Sequence, residues 1–201
     1  MTTTQPETAP RTGHGSSSPS RDIALVAAFA ALISASAYVG AIPVGSAGVP
    51  ITLQTLTVML AGCILGPLRG FSAVTLYLAL GAVGLPVFAE HSSGIGVFSG
   101  PSGGYLIAFP IAAAFGGFLV KYVARDRRTR ALVVFCCSLA ASVLVIHTLG
   151  IAGMKLFFDV SWREALTYDL PFWIGDVVKT SLVAMIAAEV HRAFPQLLHR
   201  D

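Results

Sequence analysis

The sequence predicts an all-α integral membrane protein, a bundle of six transmembrane helices with both termini in the cytoplasm. The 201 residues are 55% hydrophobic and only 11% charged, whereas soluble domains have about 25% charged residues. The apolar residues form long runs, and because a helical crossing takes about 20 of them, the chain has room for six crossings at most. The basic residues fall mainly in the connections on one side of these runs, which predicts the orientation.

The chain begins with a polar tail. Residues 1–20 are mostly Thr, Ser, Pro and Gly, a composition that cannot bury enough apolar surface to fold. We therefore expect a disordered tail at 1–20, a transmembrane domain at 21–193 and a short cytoplasmic tail at 194–201. The first span, Ile23 to Ile42, is too long for the hydrophobic region of a secretory signal.

Breaks in the apolar pattern separate the later spans. "PVGSAGVP" ends the first span, and the second runs from about Ile51 to "LGPLRG", where Pro67 and Gly70 predict a tight turn. The remaining spans are predicted at 71–86, 105–124, 131–154 and 171–190. A long Gly and Ser loop, "VFAEHSSGIGVFSGPSGG", precedes the fourth span. The stretch "SWREALTYDL" before the sixth span is predicted as a short amphipathic segment along the outer interface.

The distribution of Lys and Arg predicts which side faces the cytoplasm. The ten on the side of the N-terminus are Arg11, Arg21, Arg69, Lys121, Arg125, Arg127, Arg128, Arg130, Arg192 and Arg200, and the two on the other side are Lys155 and Arg163. Cytoplasmic connections carry the excess of basic residues. The termini are therefore predicted to be cytoplasmic, and the loops at 43–50, 86–104 and 155–170 are predicted to face outward.

Two charged residues lie inside the sixth span, "PFWIGDVVKTSLVAMIAAEV". A charge near the middle of a membrane helix costs about 2.5 to 3.5 kcal/mol, and such residues usually face a wet cavity or a substrate. Asp176 and Lys179 are three residues apart, so they share a helix face and can form an ion pair. We interpret them as part of a solute site. The alternative is a structural ion pair that locks this helix against the bundle.

Further polar groups lie at the outer start of the second span. "VPITLQTLTVML" contains Thr52, Gln54 and Thr55, which would either contact a ligand or form hydrogen bonds between helices. A Lys ammonium only donates, a carboxylate only accepts and a Gln amide does both. This combination fits a small solute that has both donors and acceptors.

Three ordered motifs resemble a known family. "VPITLQTLTVMLAGCILGPLRGFSAVTLYLALGAVGLPVFAE", "GPSGGYLIAF" and "PFWIGDVVK" are similar to the biotin-specific substrate-binding component of energy-coupling-factor transporters, the BioY family. The resemblance covers about 21–190. It implies a six-helix bundle around one high-affinity biotin site near the outer face, closed by the glycine-rich third loop.

The resemblance also implies that Asp176, Lys179 and Gln54 bind biotin. The full predicted set adds Thr52, Tyr105 and Glu90. The carboxylate and the ammonium would hold polar groups of the ureido ring, while apolar helices would hold the thiophane ring and the chain. Relatives often have an uncharged polar residue near position 90, so a solvated loop charge is the alternative for Glu90. Ser102 replaces a more usual Thr in "GPSGGY" and retains the hydroxyl.

The energy source is expected to be a partner. The chain lacks the Gly-rich, Lys-containing loop that cradles nucleotide phosphates, so we predict a transporter subunit in the cell membrane that is not an enzyme and has no cofactor. A stripe of small residues on the first span, at spacings that permit close helix approach, consists of Ala24, Ala28, Ala31 and Ala35. In the resembled family such alanines meet a transmembrane coupling subunit that is joined to a pair of ATPases. The alternative is packing within the bundle.

The remaining partner predictions follow from charge and composition. The expected partners are biotin, the coupling subunit with its ATPase pair, and membrane lipid. The formal net charge of +3 is too small to indicate nucleic acid. Cys63, Cys136 and Cys137 lie in apolar runs without metal-ligand spacing, so we predict no metal site and interpret all three as buried small hydrophobic residues.

Two other classes of protein remain open. "GPSG" at 100–103 has the appearance of a serine protease motif, and His147 in the fifth span is a conceivable base. We favour a turn or helix-capping role for Ser102 and a packed or hydrogen-bonded role for His147. A proton-coupled carrier is the other alternative, with Asp176 and Lys179 relaying protons. Such carriers often contain inverted repeats, and no convincing repeat is present.

Overall fold

The computed structural model describes residues 19–38, 41–42 and 48–198. The predicted N-terminal tail up to residue 18, residues 43–47 of the first outer loop and residues 199–201 of the C-terminal tail lie outside this part of the chain. Within the described residues the regular structure is helical, and the exception is one isolated antiparallel bridge between Ile42 and Ile51. The all-α prediction is confirmed.

The described residues form seven α-helices. They are α1 Pro19–Tyr38, α2 Gln54–Leu65, α3 Pro67–Ala82, α4 Gly103–Phe118, α5 Ala131–Ala141, α6 Thr148–Phe158 and α7 Trp162–Ala193. A π-helical segment at Leu119–Val123 extends α4, and another at Ser142–His147 joins α5 to α6 in one continuous rod. Short 3₁₀ helices occupy Ala89–His91, Ile95–Ser99 and Pro195–Leu198.

Four of these helical stretches are long and apolar enough to cross a membrane. They are Pro19–Tyr38, Gly103–Val123, Ala131–Phe158 and Trp162–Ala193. Helices α2 and α3 have 12 and 16 residues, about 18 and 24 Å at a rise of about 1.5 Å per residue, against a hydrocarbon core of about 30 Å. The chain is a multi-pass membrane protein, and the structure supplies four full-length spans and two shorter helices where six equivalent spans were predicted.

Helix boundaries differ from the predicted ones where special residues lie. Helix α1 begins at Pro19, one residue before the predicted end of the polar tail at residue 20. The turn between α2 and α3 is at Gly66, which has a φ of +87°, and Pro67 is the first residue of α3. Proline suits the first turn of a helix because its φ is preset and its missing N–H is not needed there. Gly70 lies inside α3, so the prediction that it marks the turn is wrong.

Helix α7 starts much earlier than predicted. It is one helix of 32 residues that begins at Trp162 and continues through Pro171. Ser161 and Glu164 form a capping box: Glu164 N–H donates to Ser161 Oγ at 3.3 Å, and Ser161 N–H donates to Glu164 Oε2 at 3.0 Å. This pair satisfies backbone donors that a helix start leaves free. The prediction of a separate amphipathic segment before a helix that starts at Pro171 is therefore wrong.

Close backbone contacts place α4 at the centre of the bundle. A Cβ on Gly62 of α2 would lie 2.1 Å from the carbonyl oxygen of Ala113 on α4, and one on Gly104 of α4 would lie 2.9 Å from Cα of Gly153 on α6. Only glycine permits backbones to approach so closely. These crossings hold α4 directly against α2 and α6.

Basic residues tie the two ends of the described chain together. Arg69 at the start of α3 pairs with Asp22 in the first turn of α1 at 3.1 Å and donates to the carbonyl of Leu197 at 2.6 Å. Arg128, in the connection after α4, donates to the carbonyl of Pro195 at 3.2 Å. The first turn of α1 and the C-terminal 3₁₀ helix therefore lie at the same end of the bundle.

The cysteines differ in exposure. Cys63 is buried, Cys137 is half-buried and Cys136 is exposed on the outside of α5. The prediction of burial is wrong for Cys136, because a bundle surface that faces lipid is as apolar as a core and hydropathy does not separate the two. The part of the chain that the structure describes contains no cluster of potential metal ligands.

A charged cavity at one end of the bundle

A cavity of about 240 Å³ opens at the end of the bundle where α2 and α4 begin. Its walls come from the start of α2, the segment between α3 and α4, and the facing sides of α4 and α7. The residues of the predicted site that line it are Thr52, Gln54, Glu90, Tyr105, Asp176 and Lys179. The structure thus brings together all six residues, although they are distributed over 128 positions of the sequence from 52 to 179.

Aromatic and aliphatic side chains form the apolar part of the cavity wall. They include Phe88, Leu106, Phe109, Ile146 and Phe172. An apolar cavity with a few polar groups at one side is typical of a small-molecule site, because the apolar surface supplies affinity and the polar groups fix orientation.

The Asp176 and Lys179 side chains form the predicted ion pair. The Thr55 hydroxyl bridges them, since it accepts from Lys179 Nζ at 2.7 Å and donates to Asp176 Oδ1 at 3.1 Å. Lys179 also donates to the carbonyl of Thr52 at 3.3 Å. Both charged residues are buried, with 5% and 8% exposure. The pair faces the cavity, as expected for a solute site, and it also links α7 to α2, as expected for a structural ion pair. The geometry therefore fits both interpretations.

Gln54 joins helices as well as lining the cavity. Its Nε2 donates to the Tyr77 hydroxyl on α3 at 2.5 Å, and its Oε1 accepts from the Thr52 hydroxyl at 2.9 Å. Interhelical hydrogen bonds of this kind are used where lipid offers no alternative partner. The amide oxygen keeps capacity for a further donor.

A buried cluster that the sequence analysis missed lies behind this wall. Asp169 is completely buried and accepts from the Tyr105 hydroxyl at 2.6 Å and from Trp173 Nε1 at 2.7 Å. His147 Nδ1 lies 2.8 Å from Asp169 Oδ2, and its Nε2 lies 3.3 Å from Asp176 Oδ2. The imidazole stacks on Trp173 with ring centroids 4.7 Å apart. Tyr105 consequently presents its ring to the cavity, because its hydroxyl is directed at Asp169.

The sequence of α7 does indicate that Asp169 lies near Asp176. Asp169 and Asp176 are seven residues apart, about two turns, and so share a helix face. The predicted start of the sixth span at Pro171 left Asp169 outside that helix. The prediction that His147 is a packed, hydrogen-bonded residue is confirmed, since it is 3% exposed and contacts two carboxylates.

Ser102 is the N-cap residue of α4, as predicted, although its side chain makes no capping hydrogen bond. Its hydroxyl lines the cavity. Both nitrogens of His147 face carboxylate oxygens, so this histidine is not arranged as a base for Ser102. The geometry gives no support to the serine protease alternative.

The segment between α3 and α4 is anchored over the cavity. Phe88 is buried, packs edge-on against Tyr77 and Phe98, and lies over Gly81, where a Cβ would be 2.1 Å from its Cζ. Glu90 follows with a φ of +56° and is exposed at the cavity mouth. A left-handed conformation in a residue other than glycine is uncommon.

The four alanines of α1 lie on the outside of the bundle. Ala24, Ala28, Ala31 and Ala35 are all exposed, while Ala30, Ile33 and Ala37 form the buried face. The alternative that the alanine stripe packs within the bundle is therefore wrong.

These features define a multi-pass helical membrane protein with a solute-sized, charged cavity at one end. A sequence model of the BioY family matches residues 7–196. The chain therefore belongs to the BioY family, as the sequence motifs indicated.

Two relatives show the extent of the similarity. The chain is 38% identical over 190 residues to the biotin transporter BioY of Rhodobacter capsulatus, covering 89% of this chain and 97% of that protein. It is 39% identical over 168 residues to the probable biotin transporter BioY of Pyrococcus horikoshii, covering 83% and 94%.

A solved structure is also similar. The crystal structure of the S-component for biotin from an ECF-type ABC transporter superposes with a TM-score of 0.81 at 29% sequence identity, covering 86% of this chain and 92% of that one.

Proposed function

We propose that the chain binds biotin in this cavity and takes part in biotin uptake across the cytoplasmic membrane, as the substrate-binding component of an energy-coupling-factor transporter. The observation that carries the proposal is the convergence of the six predicted residues on one cavity, in a chain whose relatives are biotin transporters. The ligand is biotin, and the energy comes from ATPase partners.

The chemistry of the cavity suits the ureido ring. Its two N–H groups match the Asp176 carboxylate, which only accepts, and its carbonyl matches the Lys179 ammonium, which only donates. The aromatic walls at Phe88, Phe109 and Phe172 would take the thiophane ring and the aliphatic chain. The opposite charges neutralise each other, so a membrane bundle can hold both of them before a ligand binds.

The exposed alanine stripe supports docking of a coupling subunit. Small side chains on a lipid-facing surface permit a partner helix to approach closely, and here they form one continuous exposed face along α1. We propose that this face meets the transmembrane coupling subunit, to which the pair of ATPases is joined.

The arrangement of the termini supports six crossings with cytoplasmic ends. Arg69 contacts both the first turn of α1 and the C-terminal 3₁₀ helix, as expected for an even number of crossings. The predominance of basic residues at this end supports its cytoplasmic location. The shorter helices α2 and α3 would complete the six.

A titration of purified protein with radiolabelled biotin tests the proposal. Asp176→Asn and Lys179→Ala should each weaken binding by at least about 100-fold, because the surviving charge is left unpaired in a buried site. Asp159→Asn and Lys155→Ala are matched controls: Asp159 caps α6 and Lys155 lies over the Trp162 ring, outside the cavity lining. Wild-type affinity in both site variants, or no biotin binding by the unmodified protein, would reject the proposed function.

A further inference from the structure

Two buried ionisable residues have no role in the binding chemistry described so far. Asp169 is fully buried, His147 is 3% exposed, and neither lines the cavity. They lie directly behind Asp176, and an uncompensated charge on a buried group is costly. Their arrangement determines which of them are charged.

Asp169 is surrounded by donors. The Tyr105 hydroxyl donates to Oδ1 at 2.6 Å, Trp173 Nε1 donates to Oδ2 at 2.7 Å, and His147 Nδ1 lies 2.8 Å from Oδ2. An indole N–H can only donate, and an ionised carboxylate can only accept. The surroundings of Asp169 therefore fit the ionised form.

Asp176 is ionised by the same reasoning. Its Oδ1 forms the ion pair with Lys179 and accepts from the Thr55 hydroxyl at 3.1 Å. Its Oδ2 lies 3.3 Å from Nε2 of His147. Each nitrogen of His147 therefore faces an ionised carboxylate.

The imidazole consequently has to carry two hydrogens. A ring nitrogen without a hydrogen would direct its lone pair at a carboxylate oxygen in a buried site, which is unfavourable. With both nitrogens protonated, His147 carries a positive charge. The charged groups that face it are Asp169 and Asp176, with Lys179 beyond Asp176, and the neutral Tyr105 hydroxyl contacts Asp169 from α4. The two negative charges of the aspartates then balance the two positive charges of His147 and Lys179.

We propose that His147 is a positioning residue for the ligand site: a buried imidazolium, oriented by Asp169, that holds the Asp176 carboxylate from behind. Oδ2 of Asp176 is held by His147, and Oδ1 is held by Lys179 and Thr55. The carboxylate is thereby fixed before a ligand binds, which reduces the ordering required on binding. The effect on biotin rests on the proposed function, but the charge of His147 does not.

The charge of His147 is measured first, on ligand-free protein. In protein labelled with ¹⁵N-histidine, long-range ¹H–¹⁵N spectra at about pH 7.5 distinguish an imidazolium from the neutral form that an ordinary histidine adopts at that pH. The His147 signals are identified by their loss in His147→Gln. We expect the pattern of two protonated nitrogens, and a neutral tautomer would overturn the proposal.

His191 is an internal control in the same spectrum. Like His147, it is buried, and it lies in α7. Its Nε2 lies 2.9 Å from the carbonyl oxygen of Cys63, and its Nδ1 has no hydrogen-bond partner among the described residues. One nitrogen that donates to a carbonyl and one without a partner describe a neutral ring. We therefore expect a neutral pattern for His191 beside the charged pattern for His147.

Biotin titrations of His147→Gln, Asp169→Asn and the double variant test the positioning role. Each single change should weaken binding by about 10- to 100-fold, as expected for losing a hydrogen bond to a charged group. Because both residues act through the same contact to Asp176, the double variant should bind no more weakly than the weaker single variant. His191→Gln, far from the cavity, should bind like the wild type.

The outcomes separate the two proposals. Additive losses in the double variant, or unchanged affinity in His147→Gln, would refute the positioning role even if His147 is charged. If the unmodified protein does not bind biotin, the proposed function fails, while the spectrum of the ligand-free protein still decides the charge of His147.

Discussion

At the residue scale, the ligand site depends on how its charges are held before a ligand arrives. Thr55 is the only described side chain that bridges the two members of the Asp176–Lys179 pair, because its hydroxyl both accepts and donates. A bare ion pair three residues apart could collapse or turn away from the cavity. The Thr55 hydroxyl on α2 holds the pair at the cavity wall.

Thr55→Val should therefore weaken biotin binding by about 10-fold or more, since it removes two hydrogen bonds to charged groups while keeping the shape of the side chain. Thr55→Ser keeps the hydroxyl and should bind nearly as the wild type does. Isothermal titration of the purified variants measures the difference.

Thr57→Val is the matched control. Thr57 is two residues further along α2, and its hydroxyl contacts Ser36 on α1 at 2.7 Å and does not line the cavity. We expect lower thermal stability and unchanged affinity for biotin. Equal affinities in Thr55→Val and Thr57→Val would contradict the bridging role.

At the element scale, the start of α7 and the distribution of side chains on α1 determine what each helix contributes. The capping box at Ser161 starts α7 early enough to include Asp169 on the same face as Asp176. Helix α1 directs Ile33 and two of its alanines into the bundle and leaves the four alanines of the stripe on the outside. Helix α7 thus lines the cavity, and α1 presents the exposed alanine face that we propose as the docking surface.

Ala28→Trp should abolish co-purification with the coupling subunit and leave biotin binding intact, because a large side chain prevents close helix approach. Ala31→Trp should behave in the same way. The measurement is co-purification with the coupling subunit together with a biotin titration.

Ala79→Trp serves as the control, since Ala79 is an exposed alanine on α3. It should retain both activities. Intact complexes with Ala28→Trp and Ala31→Trp would contradict the docking face.

At the scale of the whole molecule, the cavity and a group of arginines lie at opposite ends. Arg69, Arg128 and Arg192 all make contacts at the end where α1 begins and the chain ends. The cavity opens at the other end, next to the segment that contains Glu90. This separation suits a protein that captures a solute outside and meets ATPases inside.

Cysteine labelling in intact cells checks this orientation. In a background with Cys63, Cys136 and Cys137 replaced, Ser93→Cys should react with a membrane-impermeant maleimide, because Ser93 is exposed at the cavity end. Asp126→Cys, which is exposed at the opposite end, should react only after the membrane is permeabilised. Labelling in the reverse pattern would show that the proposed orientation is inverted.

The sequence was sufficient for the membrane class, the approximate spans and the family, because hydropathy, breaks at Gly and Pro and the family's motifs are local properties of the chain. It was also sufficient to choose six residues that share a cavity. The predicted helix boundaries are wrong at two prolines. Pro67 starts α3 instead of ending α2, and Pro171 lies inside α7 instead of starting it.

Only the tertiary structure decided how the site is held together. The contact between Thr55 and Asp176 joins residues 121 positions apart, and that between Tyr105 and Asp169 joins residues 64 apart. Likewise, small residues on α1 are compatible with burial or with exposure, and only packing decides between them. The sequence by itself determined which groups are available, because composition and periodicity are local; their partners depend on how the helices cross.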